Sequence, residues 1–392
     1  MLKAFKIVTF VLIITVSGLL IKQNSISNIY FIIAELFNSN ARNLNYSASW
    51  RADNLFNQTG ESASAVTMKS KVLLSEGVDK FLLKPTKRTV TLSPREILRK
   101  GDGIIFLETT NSLRPSSLVL CAIESAAHVY HNRPVVFFMK GLTDITTMEE
   151  ESQIRNTFPT LATYKNVYIF PLRLEEIFED TPLLPWYKKI NVTMEPHWIH
   201  VLSDACRLAL IWKHGGVYMD TDFISVSPIP DVNFVAAQSS TESSNGVFGF
   251  QLQHYFPWNS MENFVENYNG AVWGHQGPQL FTRVLERQCD LPTFRALEDL
   301  MCGNISFLNP QHFYPIPYPS WKQYYQVWEK LPNFNNSYSL HLWNYMNKEN
   351  KTVVPGTNTL ATHLYQQHCP YTYDELRKNQ ANHTRKSTPL RN

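Results

Sequence analysis

The spacing of apolar and polar residues divides the chain into three stretches of different character. Ile7 to Ile21 runs without a charge, between Lys3 and Lys6 on one side and Lys22 on the other. About 17 to 20 apolar residues span a bilayer, and this run reaches the lower limit when Ala4 and Phe5 are counted around a snorkelling Lys6. From about Asn38 to Gly77 the chain is rich in Ser, Asn and Ala and keeps no period, as a linker does. From Gly101 onward, short apolar runs alternate with helical spacing. Gly103 to Thr110 and Arg133 to Gly141 read as buried strands, as does Asn166 to Leu172. Ser116 to Asn132 carries apolar residues at helical intervals. This β-α-β order predicts a parallel sheet covered by helices, with ligands beyond the carboxyl ends of its strands. Thr109, Thr110 and Lys140 fall at those ends.

His200 to Gly216 is apolar almost all round and predicts a buried helix, stopped by Gly215 or Gly216 as a left-handed cap. Its exceptions are Asp204 and Arg207, spaced i, i+3 on one face. Both a buried ion couple and a ligand site fit that pair. The next run, VYMDTDFISV, reads as a strand. Period 2 places Asp220 and Asp222 on one face and Met219, Thr221 and Phe223 on the other. Two like carboxylates repel and lose hydration there, and a divalent cation removes both costs. Oxygen ligands of this kind suit Mn²⁺ or Mg²⁺ with positions open to a diphosphate. About one D-x-D is expected by chance in a chain this long; the apolar strand and the Gly-Gly stop around this one raise its weight.

Composition narrows the compartment and the partners. Of the 392 residues 44% are hydrophobic and 18% charged, with a net charge of +3 and no block of Lys or Arg. Nucleic-acid binding is therefore not expected. The positive flank of the apolar run predicts a cytoplasmic N-terminus and a lumenal bulk, and a cleaved signal peptide is the rival reading. Sequons stand at Asn45, Asn57, Asn191, Asn304, Asn335, Asn350 and Asn382. Five cysteines in an oxidising compartment leave at least one unpaired. Cys206, inside the apolar helix, is the expected free thiol, and Cys289 and Cys302 could close a short loop.

LSDACRLALIWKHGGVYMDTDF resembles the sugar-binding D-x-D region of retaining glycosyltransferases. YNGAVWGHQGPQLFTRV, FYPIPYPSWKQYY and HLWN, with FLETT, CAIESAA and RPVVFFMKG, resemble the lactosylceramide α-1,4-galactosyltransferase group and its α-1,4-N-acetylglucosaminyl and N-acetylgalactosaminyl relatives. The resemblance spans roughly Gly101 to Tyr373. It implies an α/β GT-A, Rossmann-like fold behind an N-terminal transmembrane anchor and stem. The implied layout is a tail over residues 1–6, an anchor over 7–22 and a stem over 23–100. A nucleotide-sugar region with the D-x-D follows over 101–240, and an acceptor-side region over 241–380. It also implies a type II protein of the Golgi membrane, with its catalytic part lumenal and homo-oligomers left open.

By the same resemblance, Asp220 and Asp222 hold Mn²⁺ (or Mg²⁺) against the UDP diphosphate, and Asp220 also reaches the ribose or sugar. His341 of HLWN is a third ligand, or else an interior histidine packed on Trp343. Asp204 and Arg207 hydrogen-bond the donor sugar's hydroxyls. Thr109 and Lys140 lie with the nucleotide. His275 and Gln276 face donor and acceptor, or brace a Gly-Pro turn. Asn245 and Gln238 fall on the acceptor side. Tyr314, Tyr318, Trp321 and Tyr324 form either a sugar-stacking platform or core. The polar SSTESSN segment before Gly246 reads as an unanchored loop, and Cys206 stands where a small residue is expected. The implied donor is UDP-galactose or UDP-N-acetylgalactosamine and the implied acceptor a glycosphingolipid. The alternatives are N-acetylglucosamine transfer to O-glycans and a silent homologue that scaffolds another transferase. No nucleophile stands out, which favours a front-face retaining route.

Overall fold

The structure is a computed structural model that describes residues 92–387, apart from 231, 290–293 and 295–296. The tail, the anchor and most of the stem lie outside the described residues. Among the described residues no helix is long and apolar enough to cross a membrane.

The strands are β1 (Ile104–Glu108), β2 (Val135–Met139), β3 (Val167–Pro171), β4 (Gly216–Met219), β5 (Phe223–Ser225), β6 (Phe234–Ala237), β7 (Ser243–Phe250), β8 (Leu300–Cys302), β9 (Ile305–Leu308) and β10 (Ser339–His341). Eight of them form one sheet in the order β3-β2-β1-β4-β7-β6-β9-β8, and β10 pairs with β5 in a second. The half from β3 to β4 is parallel, as the β-α-β pattern predicts. β7 then enters antiparallel between β4 and β6. The regions before and after residue 240 thus share one sheet. Six helices bear on the site and its supports: α1 (Ser117–Val129), α2 (Trp198–His214), α3 (Tyr255–Glu266), α4 (Pro278–Glu286), α5 (Leu360–His368) and α6 (Pro370–Ser387).

Strand alternation sends Ile104, Phe106 and Phe137 into one core layer and Ile105, Leu107 and Phe138 into the other. Both faces are covered, which is why the parallel strands read as continuous apolar runs. The core begins before Gly101: Leu98, after the short helix Pro94–Ile97, is 1% exposed and packs in the α2 layer.

Two disulfides close the fold. Cys289–Cys302 is the short loop expected from the sequence, and Cys206 is free and buried. Cys121–Cys369 joins α1 to the residue before α6 across 248 positions. A loop of that size gains up to about 5 kcal/mol in the chain-entropy account. Beside it, the buried Glu124 carboxylate accepts from the Tyr371 and Thr372 amides at 2.8 Å and from the Thr372 hydroxyl at 2.6 Å. An anion there satisfies the free amides at the start of α6. All five described sequon asparagines (Asn191, Asn304, Asn335, Asn350, Asn382) are exposed.

Candidate active site

The two aspartates do not share a strand. β4 ends at Met219, Asp220 to Asp222 turn, and β5 begins at Phe223 in the second sheet. The expected alternation holds only from Tyr218 to Asp220: both side chains point toward α2, and the Tyr218 hydroxyl donates to Asp220 Oδ1 at 2.5 Å. Asp222 is brought back by the turn. The Phe223 amide bonds the Asp220 carbonyl, and the Asp222 carbonyl accepts from Leu342. The turn is sharp because β4 and β5 belong to different sheets. Gly215 (φ 66°) precedes β4 and Gly216 (φ 97°) opens it, and a Cβ at Gly216 would lie 2.3 Å from the Gly103 carbonyl. That close approach seats β4 against β1 and requires glycine.

His341 comes from β10, which is paired with β5, so it faces the turn from across the second sheet. Its Nε2 lies 3.0 Å from Asp222 Oδ1. One ligand atom each from Asp220, Asp222 and His341 falls within 4.8 Å of the others. Octahedral bonds of about 2.1 Å put neighbouring ligands about 3 Å apart, the spacing His341 and Asp222 already have. Two carboxylates and an imidazole suit Mn²⁺ or Mg²⁺, so the residues present fit a divalent cation. Trp343 adopts a left-handed conformation (φ 54°, ψ 46°), with its indole nitrogen donating to the Ile316 carbonyl. The chain beyond it swings inward, and the Asn344 amide donates to Asp222 Oδ2 at 2.9 Å. This strained non-glycine position holds a backbone donor on the Asp222 carboxylate.

Electrostatics separate the two aspartates. Burial and the neighbouring Asp222 charge hold Asp220 above the usual carboxylate range, against Arg207. Burial pushes Asp222 upward too, but His341 and the Asn344 amide outweigh it and hold Asp222 low. Burial also lifts Asp204 to about 6, opposed by Arg207 and Asn245.

Asp204 and Arg207 meet on α2 as their spacing predicts, with Nη2 3.5 Å from Asp204 Oδ1. The guanidinium is otherwise occupied. Nε donates to the Ser203 carbonyl, Nη1 to the Asn245 carbonyl and Nη2 to the Ser203 hydroxyl. Nη1 also pairs with Asp220 at 3.1 Å, and the group lies over the Tyr218 ring at 4.5 Å. Three N–H groups donate these hydrogen bonds and two carboxylates flank the guanidinium, so Arg207 braces three site segments. Asp204 is different. Its Oδ1 accepts from Asn245 Nδ2 at 2.6 Å, and its Oδ2 faces Gly277, where a Cβ would lie 3.2 Å away.

The SSTESSN segment is not an unanchored loop. Its last three residues are buried in β7. The Ser243 hydroxyl donates to the Pro278 carbonyl, Ser244 shares a 2.5 Å bond with the Tyr314 hydroxyl, and Asn245 bridges Asp204 and Arg207. Polar residues in a strand are affordable here because each finds a partner. Gly246 follows, and a Cβ there would lie 2.9 Å from Asp220 Oδ2 and 3.3 Å from both Ser244 Oγ and Tyr314 Oη. Gly246→Ala is therefore expected to displace Asp220 and weaken metal-dependent nucleotide binding by about tenfold, the scale of disturbing a ligand's support. Calorimetry of Mn²⁺ and UDP binding checks it.

Other expectations land elsewhere. Gln276 is 2% exposed; its amide donates to the Phe264 carbonyl and accepts from the Asn269 amide. It braces the turn from inside. His275 Nε2 bonds the Asn267 carbonyl at 2.9 Å in the same turn. Thr109 donates to the Ile199 carbonyl, tying β1 to the start of α2, and Lys140 donates to Asn111. Both stand at the carboxyl ends of strands as expected, without a bond to the carboxylate cluster. Gln238 closes the β6–β7 hairpin on Glu242. Tyr314, Trp321 and Tyr324 are core, 3%, 6% and 0% exposed, and only Tyr318 of that run is open at 54%. Ser244, Gly246, Asn344 and the inward face of Tyr314 gave no signal of their own in the sequence. The one clue was Tyr218, two positions before Asp220.

Residues 116–241 match the model of the glycosyltransferase sugar-binding region containing the DXD motif, and residues 249–376 the α-1,4-glycosyltransferase conserved region. The chain is 55% identical over 282 residues to the human α-1,4-N-acetylglucosaminyltransferase, covering 72% of this chain and 83% of that protein. It is 39% identical over 281 residues to the mouse lactosylceramide 4-α-galactosyltransferase (70% and 76% covered) and 40% identical over 277 to that of the rat (69% and 75%). The chain belongs to the α-1,4-glycosyltransferase family with a DXD region. It is a hexosyltransferase with an α/β fold, and its motif implies a divalent metal and a nucleotide-sugar donor.

Proposed function

We propose that this enzyme transfers N-acetylglucosamine from UDP-N-acetylglucosamine to a terminal galactose of a glycan, in α-1,4 linkage and with Mn²⁺. The observation that carries the chemistry is the Asp220, Asp222 and His341 cluster beside the open oxygen of Asp204. The donor follows the relatives: 55% identity to an N-acetylglucosaminyltransferase outweighs 39% to a galactosyltransferase. The reading that put galactose or N-acetylgalactosamine on a glycosphingolipid first gives way to its alternative.

Asp220, Asp222 and His341 would hold the cation. The cation supplies Lewis-acid neutralisation of the leaving diphosphate. Asp204 Oδ2 accepts a hydroxyl of the donor sugar and so fixes the ring beside the cluster, while Arg207 and Asn245 keep that carboxylate in place. The bond between the anomeric carbon and the phosphate oxygen breaks as the bond to the acceptor hydroxyl forms on the same face. The electron pair leaves with UDP, and a phosphate oxygen takes the acceptor proton. Two disulfides and five exposed sequons support a lumenal catalytic part, on a Golgi type II anchor at residues 7–22.

The test offers the detergent-solubilised full chain UDP-N-acetylglucosamine, UDP-galactose and UDP-N-acetylgalactosamine. The acceptors are an aryl β-galactoside and a lactosyl lipid, with Mn²⁺ or EDTA. N-acetylglucosamine transfer lost in EDTA supports the proposal. Galactose transfer confined to the lactosyl lipid would replace it with the glycolipid reading.

A further inference from the structure

Two aromatic side chains from distant segments meet at the surface beside the carboxylates. Trp273, in the loop between α3 and α4, stacks on Tyr345 with ring centroids 4.0 Å apart and an angle of 11°. Each ring is nevertheless 43% exposed. His200 stands perpendicular to both, at 4.5 and 5.2 Å, and Lys348 lies 3.8 Å over Tyr345. Exposed large rings are ordinary singly, but a paired set at the edge of a site is a binding feature.

The pair is tied to the site from both sides. Tyr345 follows Asn344, whose amide holds Asp222. Trp273 lies four residues before Gly277, which abuts Asp204 and Asn245. His200 precedes Asp204 by one helical turn, about 6 Å along α2, roughly the width of one sugar ring. The Trp273 loop is also rigid. Gln276 binds its start and Arg283 its end, and His275 anchors to the Asn267 carbonyl. A ring held this firmly loses little entropy on contact with a ligand.

We infer that Trp273, backed by Tyr345 and His200, is the acceptor platform: it stacks on the C–H face of the acceptor's terminal pyranose and presents that sugar's hydroxyl to the donor site below. The inference rests on the transferase reading above. The chemistry is that of a pyranose, whose C–H groups meet the negative face of an aromatic ring and whose hydroxyls stay wet at the rim. The donor side is lined by buried carboxylates; this side offers open aromatic surface continuous with solvent, as a longer glycan requires.

The experiment measures steady-state kinetics of the full chain with an aryl β-galactoside as acceptor and UDP-N-acetylglucosamine as donor, with Mn²⁺-dependent UDP binding read separately. Trp273→Ala is expected to raise the acceptor KM about tenfold, with donor KM and UDP binding unchanged, and Tyr345→Ala severalfold. Trp273→Phe keeps a ring and should recover most of the loss, which also covers a failure of the alanine variant to fold. Unchanged acceptor KM in Trp273→Ala overturns the platform. So does a loss that falls on UDP binding, which would make the ring a nucleobase contact. A wild type that binds UDP and Mn²⁺ but transfers no sugar from any of the three donors refutes the transferase reading, and the platform with it.

Discussion

Asp222→Asn is expected to lower sugar transfer about a thousandfold, and excess Mn²⁺ is not expected to restore it. A cation at a leaving diphosphate is worth several kcal/mol of transition-state stabilisation, and each 1.36 kcal/mol is a factor of ten. The neutral amide can still accept the Asn344 amide bond that Asp222 Oδ2 now accepts at 2.9 Å. It cannot supply the charge that His341 and Asn344 keep ionised by holding Asp222 low. The fold should tolerate the change. Melting in EDTA is expected to move by no more than a few degrees, the shift that about 1 kcal/mol causes in a domain of this size. Transfer assays with titrated Mn²⁺, beside thermal melts of the same preparation, check both halves. A variant that recovers at high Mn²⁺ would show that Asp220 and His341 suffice, and that Asp222 is not the ligand that matters.

Arg207→Leu is expected to be the most destabilising single change at the site, by about 3–5 kcal/mol, because it leaves buried charge without its partner. Arg207 lies 3.1 Å from Asp220 and 3.5 Å from Asp204, and also binds the Asn245 carbonyl and Ser203. Leucine fills the space but leaves two carboxylates without their cation and the Asn245 carbonyl without its side-chain donor. Arg207→Lys keeps the charge but loses the planar fork, so an intermediate loss is expected. The loss should also depend on pH. Burial already lifts Asp204 to about 6 in the native chain, with Arg207 opposing. An acid whose folded pKa is raised binds its proton more tightly when folded, so it costs stability above that pKa and the cost fades as pH falls toward the unfolded value. Removing Arg207 raises the folded value further. The stability deficit of Arg207→Leu is therefore expected to grow as pH rises above about 6, where the wild-type cost has levelled off and the variant's has not, and to shrink toward pH 6 from above. Denaturant unfolding at several pH values measures it; a deficit independent of pH would mean that lost packing, not stranded charge, dominates.

Much of the parallel half was legible in the sequence because it depends on local period. β1 to β3, α1 and α2 fall within a few residues of their apolar patterns. The Asp204–Arg207 pair was legible for the same reason, since i, i+3 on one helix needs no tertiary knowledge. Cys289–Cys302 was legible from its short loop. The D-x-D was found for a partly mistaken reason: the two carboxylates converge through a turn between two sheets. Period 2 assumes that the strand continues, and whether it does is set by what pairs beyond Met219.

The buried polar strand Ser243 to Asn245 was misread because its partners lie far away in sequence. Asn245 bonds a carboxylate 41 positions earlier and Ser244 a hydroxyl 70 positions later. A polar residue is affordable in a core only when it meets a partner, and sequence shows the residue without the meeting. The aromatic residues divide on the same ground. Tyr314, Trp321 and Tyr324 read as either platform or core and are core, while Trp273 and Tyr345 were unremarked and lie open together.

By itself the sequence determined the elements of the parallel half, the family and the residue types available for catalysis, because periodicity and motif spacing are short-range properties of the chain. Only the tertiary structure decided which of those residues meet. Asp222 gains its backbone donor from Asn344, 122 positions on, and Asp220 loses its freedom to Arg207 and Tyr218. Such contacts are bought with the packing of whole layers, and no local pattern encodes their geometry.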